Sequence, residues 1–195
     1  HKNLLKRNLQ PELIHTACSA AAMNYPQTRM DMVRIGIMQY GFWPNRETFI
    51  QYAHRSGSQA DPLKRALRWI SKIMTIKTVQ TGSFVGYGTN YLAQEDSLIA
   101  VVPVGYYHGY SRSLSNQSYV LIRGYRANVI GLVNMNMMIV NVTQIPEVEI
   151  GDEVVLIGKQ GGLEISVASF SEMSSLMNYE MLTRLPENIE RAVVK

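Results

Sequence analysis

Between residues 97 and 160 the sequence keeps returning to short apolar runs closed by glycine or a polar turn: SLIAVVPVGYY, YVLIRGYRANVIGLVNMNMMIVNVTQI and EVVLIGKQGG. Runs of this length, rich in Val and Ile and evenly spaced, suit the strands of a barrel or sandwich. Gly151-Asp152 supplies the turn into the last of them. This stretch constrains the chain more than any other: its centre must be a compact all-β domain. The tail, SFSEMSSLMNYEMLTRLP, predicts a helix over Phe170, Met173 and Met177, then an irregular exit past Pro186. Residues 63–78 stay open. Leu63, Ala66, Leu67 and Ile70 fit a helical period, while the alternation through Trp69–Ile76 fits strands about as well.

Ahead of the β region the character differs. Lys2, Lys6 and Arg7 around Leu4, Leu5 and Leu9 read as the end of an amphipathic helix, stopped by Pro11. The segment LIHTACS follows, then AAAM with Ser19 before it as an N-cap. Past Tyr25-Pro26, DMVRIGIMQYG reads as a buried strand. The order is helix, strand, short helix, strand, a βα repeat with only two strands. A two-stranded parallel sheet cannot bury both its faces. These residues therefore either decorate the β domain or end something larger. Residues 45–62 are polar and Ser/Gly-rich, a linker or insert in which Asn45 caps a short helix around Phe49, Tyr52 and Ala53.

Composition excludes several classes. The chain has 195 residues, 46% of them hydrophobic and 17% charged, a globular balance. At that length it buries roughly 70% of its unfolded surface without staples. Its one cysteine, Cys18, rules out an internal disulfide and a zinc cluster within the chain, and fits a reducing, cytoplasmic setting. A net charge of +4 is too mild and dispersed for nucleic acid. No run approaches the ~18 apolar residues that span a bilayer. The opening imitates a secretory signal, but Pro11, Glu12 and His15 interrupt its apolar core. Because the chain opens on His1 rather than Met, its true start is expected upstream.

Four places carry chemistry. Ser19 before a helix start, together with Arg34-Ile35-Gly36-Ile37 at a strand end, offers free N–H groups and a close backbone approach suited to phosphate. Tyr87 lies between Gly86 and Gly88, on exposed backbone. As a base it needs a cationic neighbour, since a phenol holds its proton to about pH 10. VGYYHGYSRSLSN joins three tyrosines, His108 and Arg112, an arrangement able to stack bases, although the mild charge argues against that and His108 reads as a satisfied polar residue. In NMNMMIV, alternation puts Met135 and Met137 on one face and Met138 on the other, which reads as core filling rather than a soft-metal site, so no metal is expected.

Together these segments resemble the alanine racemases, which are pyridoxal-phosphate enzymes. HTACSAAAMNYPQTRMDMVRIGIMQYG is similar to the end of the racemase barrel, and VGYGTNYLAQEDSLIAVVPVGYYHGY to the stretch opening its C-terminal β domain. NVIGLVNMNMMIVNVT, EIGDEVVLIGKQGG and MNYEMLTRLP match further blocks in the family's order. The likeness runs from about 13 to 190 and is weakest at 45–62. It implies an α+β, mainly β chain. Residues 1–44 would be the last two units of a PLP-binding (β/α)8 barrel, 45–62 a linker or insert, and 63–195 the β-rich, barrel-like C-terminal domain. The two strands become the seventh and eighth, where barrel phosphate sites gather.

By the same resemblance, pyridoxal 5'-phosphate is the cofactor. Ser19, the Gly36 and Ile37 backbone and Tyr179 match the groups that bind its phosphate. Arg34 matches the arginine facing the ring nitrogen, where a guanidinium that keeps its proton leaves that nitrogen unprotonated. Tyr87 matches the catalytic tyrosine. Racemisation takes a proton from one face of Cα and delivers another to the opposite face, beyond the reach of a single group. The family divides this work between the lysine that holds the cofactor and this tyrosine. Met135 matches a backbone contact to the substrate carboxylate, and Tyr106 a tyrosine at the substrate entrance. In the family Tyr87, Tyr106 and Met135 serve the partner's cofactor, so a homodimer with shared sites is implied. A small amino acid, alanine by default, is the implied substrate, and the implied role is D-alanine biosynthesis for the cell wall.

Four positions depart from the pattern: Cys18, Leu132, Asn134 and Asn136 stand where the family usually has Asn, Arg, Cys and Asp. The lysine belongs to the missing N-terminal barrel portion. No lysine here matches it, so this chain alone is expected not to racemise. The competing expectations are an inert stand-alone β module for dimerisation or regulation, and, least favoured, an RNA-binding barrel using the tyrosines of 104–110.

Overall fold

The computed structural model describes residues 2–9, 11–173 and 178–194. The chain divides into two compact units, His1–Ala66 and Leu67–Lys195.

The first unit is largely helical. It holds α1 (Lys2–Leu5), α2 (Ser19–Asn24) and α3 (Arg46–Ser56), with two single 3-10 turns, Pro26–Thr28 and Ile37–Tyr40, between α2 and α3. The stretch 31–41 differs from the buried strand that its apolar content predicts. Against 13–18 it makes one parallel bridge, Cys18 to Arg34, and a bond from the Asp31 amide to Ile14 O at 3.1 Å, then turns into the 3-10 segment. Met32 and Val33 remain exposed. Among the described residues no other strand pairs with either segment, and ladder pairing needs such neighbours. α3 forms as its sequence dictates. Asn45 Oδ1 accepts from the Thr48 amide at 2.9 Å and from its hydroxyl at 2.6 Å, and Gly57 closes the far end in the left-handed conformation. Asn24 Nδ2 donates to Gln51 Oε1 at 2.9 Å, and the Arg55 guanidinium donates to the Met23 carbonyl, which docks α3 on α2.

The second unit is an antiparallel sheet of β1 (Trp69–Lys72), β2 (Thr75–Val79), β3 (Ser97–Val102), β4 (Tyr119–Ile122), β5 (Tyr125–Ile130), β6 (Met138–Asn141), β7 (Glu153–Gln160) and β8 (Leu163–Ile165). The open region 63–78 thus resolves into strands from Trp69 onward, with 63–68 in neither helix nor strand. The strand order is β1-β7-β4-β5-β6-β3-β2, with β8 on β7. The two ends of that path, β1 and β2, are joined through Ile73 and Met74 alone, so the sheet curls back on itself like a barrel. β4 and β5 form a hairpin whose turn, Arg123-Gly124, has positive φ at both residues, the geometry that matches strand twist. Tyr110 lies fully buried between Trp69 and Phe170, its hydroxyl donating to Ser118 Oγ at 2.9 Å. Burial pushes the Tyr110 phenol up. α4 (Val167–Met173) and α5 (Asn178–Thr183) follow the sheet, with Phe170 and Met181 buried. Met177, expected in the tail helix, lies outside the described residues.

Candidate active site

Within the first unit the Cys18–Arg34 bridge sets two chain segments side by side, and the helical turns after them start together. Ser19 is only 2% exposed, and its Oγ accepts the Gly36 N–H at 2.9 Å. Ser19 is the first residue of α2, and Cys18, not Ser19, holds the N-cap position. The Cys18 thiol is drawn below its usual range, first by the Ala21 amide, with the Ala20 amide and the Arg34 guanidinium adding and partial desolvation opposing. The leading amides of a helical turn have no partner within it. The amides opening the Ile37–Tyr40 turn lie beside the Ser19 O–H, while the Ala20 and Ala21 amides of α2 turn to the Cys18 thiol. This donor set, with no carboxylate in it, suits a phosphate. Arg34 borders it, anchored by its amide on Ala17 O (2.9 Å) and its guanidinium on Thr16 O (3.4 Å).

In the second unit Tyr87 is 73% exposed. Its turn, Tyr87–Thr89, is made possible by positive φ at Gly86 and Gly88. The Tyr106 turn is gripped from below: Tyr106 N–H donates to Asn134 O at 3.0 Å and Tyr107 N–H to Met135 O at 2.9 Å. Gly105 lies so close to this segment that a Cβ there would meet Asn134 O at 2.0 Å. His108 is a satisfied polar residue, its Nδ1 accepting the Gly105 N–H at 3.1 Å. Tyr106 and Met135 are thus neighbours on the surface, and the same 131–135 segment backs the Tyr87 loop at its other end, through Gly131 and Leu132. Met138 is fully buried while Met135 and Met137 stay exposed, so core filling holds for Met138 alone. The pair follows a tight turn, Asn134 N–H to Met137 O at 2.9 Å, whose loop presents side chains outward before β6 begins. Tyr179 sits on α5, partly exposed. α5 leads to Arg184 and Asn188, which brace the Tyr106 turn: a Cβ on Gly109 would meet Arg184 O at 2.7 Å, and Asn188 Nδ2 reaches Tyr107 Oη at 3.4 Å.

Sequence reasoning passed over Asn90. Its Nδ2 donates to Gly88 O at 3.1 Å and Tyr87 O at 3.5 Å. The usable signal was an Asn just past a Gly-flanked tyrosine, able to bond its own turn. Among the described residues, no group of three or more His, Cys, Asp and Glu gathers to hold a metal, and no helix is long and apolar enough to cross a membrane.

A family model of the alanine racemase C-terminal domain matches residues 66–193, and one of the N-terminal domain matches residues 2–44. The chain belongs to the alanine racemase family. It is 39% identical over 188 residues to the alanine racemase of Halothermothrix orenii, covering 96% of this chain and 47% of that one. To alanine racemase 2 of Bacillus subtilis it is 38% identical, over 98% of this chain and 47% of the relative. The solved alanine racemase of Bacillus anthracis with bound L-Ala-P superposes with a TM-score of 0.82 at 33% identity, over 94% of this chain and 45% of that one. The Clostridium difficile alanine racemase in complex with cycloserine gives 0.82 at 30%, over 96% and 47%. The chain spans about half the length of the curated relatives it matches. Its fold is that of a partial barrel followed by the family's β-rich C-terminal domain.

Proposed function

We propose that the chain serves as the C-terminal half of a pyridoxal-phosphate-dependent alanine racemase that interconverts L- and D-alanine. Residues 1–44 would end the cofactor-binding barrel, 45–62 join it onward, and 63–195 form the C-terminal domain. The observation that carries the reading is the bond from Gly36 N–H to the buried Ser19 hydroxyl. It sets the Ser19 hydroxyl, whose own proton this bond does not use, beside the opening amides of the Ile37–Tyr40 turn, a pairing that suits a phosphate.

Bound pyridoxal 5'-phosphate would supply the electron withdrawal that makes a substrate's Cα hydrogen acidic. The residues of this chain hold the cofactor and substrate and move one of the two protons. The Ser19 O–H, the Gly36–Ile37 backbone and the Tyr179 hydroxyl hold the phosphate. Arg34 faces the ring nitrogen and keeps it unprotonated. Tyr87 moves the proton on one face of Cα, and a lysine outside this chain moves the proton on the other. The Met135 carbonyl accepts from the Tyr107 N–H, which fixes the Met135 backbone, and its N–H serves the substrate carboxylate. Tyr106, fixed beside Met135, lines the entrance. The exposure of Tyr87, Tyr106 and Met135 supports a homodimer in which each serves the partner's cofactor. A cytoplasmic setting fits the single, free cysteine.

The test uses the complete protein loaded with the cofactor and given L-alanine in deuterium oxide. D-alanine should form, with deuterium at Cα in nearly every product molecule, since two groups exchange protons on opposite faces. Absence of D-alanine overturns the proposal, and product that keeps its original hydrogen overturns the two-base mechanism.

A further inference from the structure

Tyr87 stands on a short, exposed turn, and a proton-transferring group must be held closely. A misplacement of about 1 Å can cost on the order of 100-fold in rate. What holds this turn lies outside it. Asn116 has φ +57°, a left-handed conformation that Asn tolerates better than most side chains. Its side chain reaches two ways. Oδ1 accepts the Gly131 N–H at 2.6 Å, and Nδ2 donates to Asn90 O at 3.3 Å. Because one partner is a donor and the other an acceptor, the amide can sit only one way round. Gly131 in turn lies against the segment leading to Tyr87: a Cβ there would meet Val85 O at 2.9 Å. Asn90 continues the other branch into the Gly88 and Tyr87 carbonyls. The neighbouring Ser115 Oγ accepts the Val133 N–H at 2.9 Å, so the 115–116 turn grips the same segment twice.

We propose that Asn116 is a positioning residue for Tyr87, fixing its turn through Asn90 and its approach through Gly131, and registering both against the segment that ends in Met135. The inference rests on the reading of Tyr87 as a proton-transferring group.

The test uses two variants of the complete, cofactor-loaded protein. Asn116→Gly removes both bonds while keeping the left-handed backbone unstrained. Asn116→Asp keeps the acceptor for Gly131 and removes the donor to Asn90. Hydrogen exchange at the Gly131 amide should quicken in Asn116→Gly and stay near the parent rate in Asn116→Asp. The second readout is exchange of the Cα hydrogen into deuterium oxide, from L- and D-alanine separately, with Tyr87→Phe as the reference. Both variants should slow exchange from the one enantiomer that Tyr87→Phe slows, by roughly ten- to 100-fold, and leave the other within about twofold. Equal slowing from both enantiomers, or none, with Tyr87→Phe still one-sided, overturns the role of Asn116. If Tyr87→Phe itself is not one-sided, the reading of Tyr87 fails and the proposal falls with it. Should Asn116→Gly not fold, Asn116→Asp alone decides.

Discussion

Replacing Ser19 by alanine tests the phosphate cradle where its geometry is most defined. The substitution removes one buried O–H and the acceptor of the Gly36 amide. Alanine is a good residue for the first turn of α2, and Gly36 is exposed enough for water to take its N–H, so folding should be little affected. The loss falls on the ligand. A hydrogen bond to a charged group contributes about 1.5–3 kcal/mol, so pyridoxal 5'-phosphate should bind roughly ten- to 150-fold more weakly. The assay is an absorbance titration of the complete apoprotein with pyridoxal 5'-phosphate and, in parallel, with pyridoxal, which lacks the phosphate. Ser19→Ala should weaken the first and leave the second nearly unchanged. An equal loss for both, or no loss for either, would refute the assignment of Ser19 to the phosphate.

Two further outcomes follow from local geometry. Asn45→Ala removes the cap of α3 and costs about 1 kcal/mol, so amide exchange at Thr48 should quicken about fivefold under native conditions; an unchanged rate would show that packing on α2 holds the helix start instead. The Asp152 carboxylate is held below its ordinary range, chiefly by the Arg123 guanidinium (2.6 and 3.1 Å), with the Glu149 amide adding, against some desolvation. A depressed folded value means that this stabilisation is complete above the unfolded carboxyl value near ~4 and is lost as pH falls through the folded one, so Asp152→Asn should flatten the acid limb of a stability-versus-pH curve and leave its neutral side parallel to the parent's.

Features set by a few neighbouring residues were legible in the sequence. The Asn45 cap, the Gly86-Tyr87-Gly88 exposure, the satisfied state of His108 and the strand content between residues 97 and 160 all depend on local chemistry, and each stands in the structure. Features set by distant partners were not. The segment 31–41 has a strand's composition, but strand pairing needs neighbours that composition does not reveal, and it forms one bridge. The N-cap of α2 moved one residue, from Ser19 to Cys18, because the Ser19 hydroxyl is engaged by Gly36 across the bridge rather than by its own helix. Met135 and Met137 share Met138's side-chain chemistry but not its burial, because the turn before β6 lifts them to the surface. Residues 63–78 carried two periodicities at once, and pairing of β1 with β7 and β2 with β3 decided between them. For the candidate site, the residues themselves were recognisable through the family resemblance. What ties them together was not: Asn90, Asn116 and the Asn134 and Met135 carbonyls act through backbone contacts that no motif displays.

The central claim is that Tyr87 transfers the proton on one face of Cα. Its most direct test is Tyr87→Phe in the complete, cofactor-loaded protein, with Cα hydrogen exchange followed from each alanine enantiomer. Exchange from one enantiomer should nearly vanish, exchange from the other should persist, and racemisation should stop. Equal rates from both enantiomers with racemisation intact would contradict the account.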